Sequence, residues 1–157
     1  MRILMLATIA CALLLTSCQA PVEFDPEDPV ITAEIQSILA EAMEGSRNVD
    51  ADRVLAMAEG EGELTFLTGD LLLSGLDVIH EAFADTYAGL ESQETTVIEK
   101  RVRILSSDVA IVIATSEGTY TDKAGWTSEP VGMGHTIVFV RENGEWRARH
   151  AHQSIAP

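Results

Sequence analysis

Apolar residues recur at helical spacing up to Leu90 and alternate after it. Ile31, Ile35, Ile38, Leu39, Ala42 and Met43 follow the three-to-four-residue period, which predicts an amphipathic helix from Val30. Thr32 suits its N-cap, Glu34 and Glu41 its polar side, and Gly45 its stop. Asp50 or Asp52 then opens a second, shorter helix with Val54, Leu55 and Met57 as its stripe, broken by Glu59-Gly60-Glu61-Gly62-Glu63. Two short strands are expected over residues 63–68 and 71–74, joined at Gly69-Asp70. Gly75 leads into a third helix with Leu76, Ile79, Phe83, Tyr87 and Leu90 on one face. Residues 95–105, 109–121, 133–140 and 146–154 are β-branched and alternating, which predicts a four-stranded antiparallel meander. Helices followed by a run of strands point to an α+β fold with the N-terminal helices packed on one face of a curved antiparallel sheet.

The N-terminus obeys neither period. Residues 1–17 begin with Met1 and Arg2 and continue as an almost unbroken apolar run from Ile3 to Leu15. That run is shorter than the ~20 residues of a permanent membrane helix, and it reads as a secretory signal. Leu15-Thr16-Ser17-Cys18 resembles the bacterial lipobox. The resemblance implies lipidation of Cys18 and, with Gln19 rather than Asp after it, an outer-membrane lipoprotein facing the periplasm whose only membrane contact is the anchor. Residues 18–29 carry three prolines among acids and read as a tether. Residues 30–157 are then one domain with one core. The chain's two cysteines are Cys11 and Cys18, so this domain has no disulfide, thiol nucleophile or thiolate metal site. A formal net charge of −15 repels nucleic acid and anionic headgroups, so no nucleic-acid partner is expected.

The chemistry concentrates near the C-terminus, in Arg147-Ala148-Arg149-His150-Ala151-His152-Gln153-Ser154. In an uninterrupted strand, Trp146, Ala148, His150, His152 and Ser154 share one face. Asn143-Gly144 suits a two-residue type I′ turn, which pairs Arg141 with Trp146, Phe139 with Ala148, Ile137 with His150 and His135 with His152. Three imidazoles then share an apolar surface, with Arg147 and Arg149 on the other face beside Val138 and Val140. A three-residue turn would instead set Thr136 and Val138 beside His150.

The order helix, helix, two short strands, helix, four long strands resembles the SnoaL-like (DUF4440) group of the NTF2-like superfamily. So does the ending N-G followed by W-R-x-R-H-x-H-Q-S-x-x-P. Gly75-Leu76-Asp77-Val78-Ile79 resembles the G-x-x-x-I that opens the third helix there. The likeness covers nearly all of residues 31–157. It implies a cone, a bent sheet wrapped around helices with a cavity at the open end, assembled as a homodimer through the sheet's outer face. It implies no single reaction, because this fold hosts isomerases, cyclases, dehydratases and many binders.

His150, His152 and His135 are the candidate catalytic residues. Imidazoles in an apolar cavity suit acid–base work on a bound carbonyl compound, and the same groups can equally hydrogen-bond at strand ends and only shape the cavity. With Glu117 they would make a zinc or iron set, but i, i+2 side chains diverge and no H-E-x-x-H is present. No metal and no cofactor is therefore assigned. Trp146, Phe139, Tyr120, Tyr87, Phe66 and Trp126 are the candidate ligand-contacting aromatics, and each is also suited to a core. Trp126, in the turn-rich stretch 121–132, can cap the cavity, join a dimer contact or fold back on its own hairpin. Gly132-Met133-Gly134 lacks the strand–turn–helix setting of a nucleotide fingerprint. Three functions remain: binding of a small, largely apolar molecule, an isomerase, dehydratase or hydrolase using the histidines, and a non-catalytic protein-interaction module.

Overall fold

Asp28 starts the first helix in a computed structural model that describes residues 24–156. Its Oδ1 accepts from the backbone N–H of Val30 and Ile31 at 2.8 and 3.2 Å. Pro29 fills the first helical position, where no donor is needed. The helix, α1 (Pro29–Arg47), therefore begins upstream of the expected Thr32 cap. The expected signal segment, Cys18 and the first half of the tether lie outside the described residues. In the part of the tether that is described, Pro26 O accepts from Ile104 N at 3.4 Å.

Gly45 does not stop α1. It is a buried position inside the helix, and a Cβ there would lie 2.7 Å from the backbone nitrogen of Val54. Glycine is present so that α1 can lie against α2 (Ala51–Leu55), whose N-cap Asp50 accepts from Arg53 N at 3.0 Å. A 3₁₀ turn at Ala56–Ala58 follows. Then come β1 (Thr65–Thr68), β2 (Leu71–Ser74) and α3 (Leu76–Tyr87). Leu90, expected at the end of the third helix, instead opens a strand.

Four long strands complete the chain: β3 (Leu90–Ser106), β4 (Val109–Asp122), β5 (Val131–Glu142) and β6 (Glu145–Ile155). They form the expected meander. The sheet is wider than the meander, however, with order β2-β1-β6-β5-β4-β3, because β1 pairs parallel to β6. The edge strand β3 breaks register after Leu90, after Val97 and after Ile104, and such bulges bend and twist a sheet. The core fills the bend: Ile35 and Leu39 of α1, Ile79 and Tyr87 of α3, and Ala110, Phe139, Trp146 and Ala148 of the sheet.

The β5–β6 hairpin carries both the confirmation and the correction that matter for the site. Asn143 (φ 52°) and Gly144 (φ 89°) take the left-handed conformations of a type I′ turn. Arg141 pairs with Trp146 and Phe139 with Ala148, as the two-residue turn requires. The register then slips: Val138 faces His150, Ile137 faces Ala151, Thr136 faces His152 and His135 faces Gln153. Arg149 is the extra residue. One inserted residue inverts the facing of everything beyond it, so His150 and His152 part company with Trp146, Ala148 and His135.

Candidate functional site

Pairing across the sheet stacks its inner face in rows. The deepest row is Ile104, Ala110, Phe139 and Ala148; the next is Val102, Val112, Ile137, Ala151 and Phe66. Above them lies a row in which polar groups enter, Lys100, Ala114, His135, Gln153 and Thr68, followed by Val97, Ser116, Met133 and Ile155. Phe139, Ala110 and Ala148 are fully enclosed and Ile104 nearly so, so the first row is solid floor. From Val112, Ile137 and Phe66 upward, the sheet stands away from α1 and α3 and leaves a cavity of about 500 Å³, a volume typical of small-molecule sites. Leu39, Ala42 and Met43 of α1, Phe83 and Tyr87 of α3, and Leu73 of β2 close the other side. Phe83 links Phe66 and Tyr87, with ring centroids 5.5 and 5.8 Å away, so the aromatic wall is one contiguous surface.

Polar groups are set among these apolar ones, Ser46 and Thr86 from the helices and Gln93, Thr95 and Ser116 from the sheet among them. His135 reaches the cavity, and its Nε2 lies 2.8 Å from the hydroxyl of buried Ser116. Burial holds its imidazole below the ordinary histidine range, which makes the neutral ring the resident form at pH 7. Burial pushes the Tyr87 phenol up, against hydrogen bonding to Ser46 and Gln93, so it remains a neutral donor. Gln153 and Lys100 complete the polar row. A neutral imidazole bonded to a hydroxyl can donate or accept a hydrogen bond, or take up one proton. Among the described residues, no carboxylate borders the cavity beside it.

The other candidate residues are dispersed. His150 and His152 share the outer face with Thr65 and Leu67, and His150 Nδ1 is 2.8 Å from Thr65 Oγ1. Glu117 alternates with Ser116 and points away from the cavity. Among the described residues, no group of three histidine, aspartate or glutamate side chains is placed to hold a metal ion. Phe66 and Tyr87 line the cavity. Phe139 and Trp146 lie below it in the core, with Trp146 Nε1 donating to Glu34 Oε2 at 2.9 Å. Trp126 is folded back on its own hairpin, exposed and 5.8 Å from Tyr120 in an edge-on pair. Lys100 and Ser116 carry no signal of a site in the sequence, and Phe83 reads there only as part of the apolar face of α3. Once Phe139 is known to face inward, alternation and the β4–β5 pairing place Ser116 on the same face, and the β3–β4 pairing of Lys100 with Ala114 places Lys100 there too.

Comparison with known proteins places this geometry in a family. The model of the calcium/calmodulin dependent protein kinase II association domain matches residues 32–157. Among solved structures, a nuclear transport factor 2 (NTF2-like) superfamily protein from Salmonella enterica serovar Typhimurium superposes with a TM-score of 0.71 at 15% identity, covering 80% of this chain and 91% of that one. A ketosteroid isomerase-like protein from Erwinia carotovora atroseptica gives 0.65 at 21% identity, over 80% and 96%. An NTF2-like protein of unknown function from Pseudomonas putida gives 0.67 at 17%, over 82% and 88%. No curated protein matches the chain. With a family model matching residues 32–157, the chain belongs to the calcium/calmodulin dependent protein kinase II association domain family, and its sheet wrapped on helices has the fold of these NTF2-like structures.

Proposed function

We propose that this protein binds a small, largely apolar molecule in its cone. The observation that carries the reading is the cavity itself, about 500 Å³ bounded largely by Leu, Met, Ile, Val and Phe side chains, with hydroxyl and amide groups, His135 and Lys100 set among them. The SnoaL-like character of the closing strand agrees with a small-molecule role. On this reading Cys18 is the lipid attachment site, and the domain hangs from the outer membrane into the periplasm. Two copies pair through the outer sheet face, where Ile111, Ile113, Val138 and Val140 form adjacent rows and Ile113 is 48% exposed. The match to an association-domain family supports such self-assembly. Native mass spectrometry of the protein purified from a bacterial periplasm tests the reading. A dimer carrying a small organic adduct is expected. A bare monomer that also takes up no apolar probe refutes both the ligand and the pairing.

A second reading, a small-molecule isomerase or dehydratase, has one observation in its favour, the half-buried His135 bonded to buried Ser116 in the cavity wall. It narrows the expected acid–base group to His135 alone, since His150 and His152 face away. His135→Gln separates the two readings: turnover of a ketosteroid-like or hydroxy-carbonyl compound would vanish with the imidazole, whereas binding would change only modestly.

A further inference from the structure

The cavity lining carries a charge pattern that apolar character alone does not require. The chain has 25 acidic and 10 basic residues. Yet among the described residues no aspartate or glutamate borders the cavity, and one lysine, Lys100, does. The other cations are mostly occupied. Six arginines hold glutamate partners, and Lys123 donates to Ala88 O at 2.7 Å. No described carboxylate forms an ion pair with Lys100.

Its place in the sheet gives the free cation a direction. Lys100 pairs with Ala114, Ala114 with His135, and His135 with Gln153. These side chains share the inner face and stand one row above Val112, Ile137 and Phe66. Neighbouring strands are about 4.8 Å apart, so Lys100 and His135 begin roughly 10 Å apart across the small Ala114. Lys100 is exposed on the edge strand where it borders the cavity, and its stem is long enough to reach across much of that gap.

We propose that the cavity selects an amphiphile with an anionic head, an aromatic or aliphatic carboxylate. Its apolar body lies along Val112, Ile137 and Phe66, and its carboxylate meets the Lys100 ammonium on the polar row. This rests on the reading that the cavity binds a small molecule and names the class of that molecule. The protein's overall negative charge does not oppose it at close range. Surface charges are screened over about 8–10 Å, and the cation nearest to a bound head is Lys100, with no acid in the lining to offset it. His135 and Gln153 supply neutral hydrogen-bonding groups for the remaining carboxylate oxygen without adding charge.

The test is calorimetric titration of the full chain carrying Cys18→Ser, so that no attached lipid competes for the cavity. The probes are 2-naphthoate and its neutral near-isostere 2-naphthamide. The wild-type cavity is expected to prefer the carboxylate by about tenfold, the scale of one charge-assisted hydrogen bond at a partly exposed site. Lys100→Gln should abolish that preference while leaving naphthamide affinity within about twofold, and Lys100→Arg should keep it. Equal affinities in the unsubstituted cavity, or a preference that survives Lys100→Gln, would overturn the anionic head and leave the cavity reading standing. If a folded protein binds neither probe, the cavity reading and the inference fail together.

Discussion

Replacing Gly45 by alanine sets two well-understood effects against each other. Alanine in a helix interior is favoured over glycine by about 0.8–1.0 kcal/mol, so propensity alone predicts a more stable protein. The structure predicts the reverse. A Cβ at this position would sit 2.7 Å from Val54 N and 3.0 Å from the carbonyl carbon and Cβ of Arg53. Val54 N is no flexible tip: it donates to Asp50 O at 3.1 Å as part of the α2 cap. Relief therefore requires α1 and α2 to separate, which loosens the core to which Leu39 of α1 and Val54 and Leu55 of α2 all belong. Overpacking of this kind typically costs about 1–3 kcal/mol. Because rigid backbone must move, we take the upper part of that range, and after the propensity gain the net loss is about 1–2 kcal/mol. For a domain of this size that lowers Tm by roughly 3–10 °C. Thermal unfolding followed by circular dichroism, with urea midpoints at unchanged m-value, measures it. Gly89→Ala is the control: nothing lies within 4 Å of a Cβ there, so it should be neutral or stabilise by up to about 1 kcal/mol. If Gly45→Ala unfolds at or above the wild-type temperature, the close-approach explanation of this glycine is wrong.

Three further outcomes are expected. Burial depresses the protonation of His135 in the folded state, so the unfolded chain binds the extra proton. Stability should fall as pH drops below about 6.5 and through the folded value, and His135→Gln should remove that component when urea midpoints are compared at pH 7.5 and 5.5. Hydrogen bonding to Arg149 holds the Glu142 carboxyl below its ordinary range. Its contribution is therefore present above about pH 4.5 and lost as pH falls through the folded value, so Glu142→Gln should narrow the wild-type stability difference between pH 6 and pH 3. Ile113→Glu on the outer face should shift the protein to monomer in light scattering after gel filtration without altering its circular dichroism spectrum, and an unchanged mass would count against pairing through that face.

Much of the fold follows from local rules. Periodicity finds all three α-helices, alternation finds the four long strands, and Asn143-Gly144 fixes the turn at the head of the last hairpin. These signals are readable because each depends on residues a few positions apart. The α1 boundaries are less so, since Asp28-Pro29 competes with Thr32 as a start, and Gly45 looks like a stop until α2 is known to touch it. The parallel pairing of β1 with β6 is a contact between residues more than eighty positions apart, and nothing near Thr65 specifies it. Phe66 and Tyr87 can be found as cavity residues from their helix or strand face. Phe139 and Trp146 have the same face but sit one or two rows too deep, and depth is set by how far the helices stand off the sheet.

The two histidines at the end of the chain turn on one residue. Arg149 is the bulge, and its guanidinium explains why the extra residue is held there. Nη1 donates to Ala58 O at 2.6 Å, and Nε donates to Glu142 Oε1 at 2.6 Å. The second glutamate oxygen is bonded to Nη2. This cluster packs against Gly60 and Gly62, where a Cβ would lie 2.6 and 2.3 Å from the arginine. The loop between the 3₁₀ turn and β1, the β5–β6 hairpin and the bulge are thus fastened to one another. A regular strand at Arg149 would keep His150 and His152 on the inner face with Trp146. That would bring two more titratable groups to the rows now occupied by Ala151 and Gln153. The bulge thus leaves His135 as the only imidazole lining the cavity among the described residues, in the same row as Lys100, where one fixed charge stands with neutral hydrogen-bonding groups.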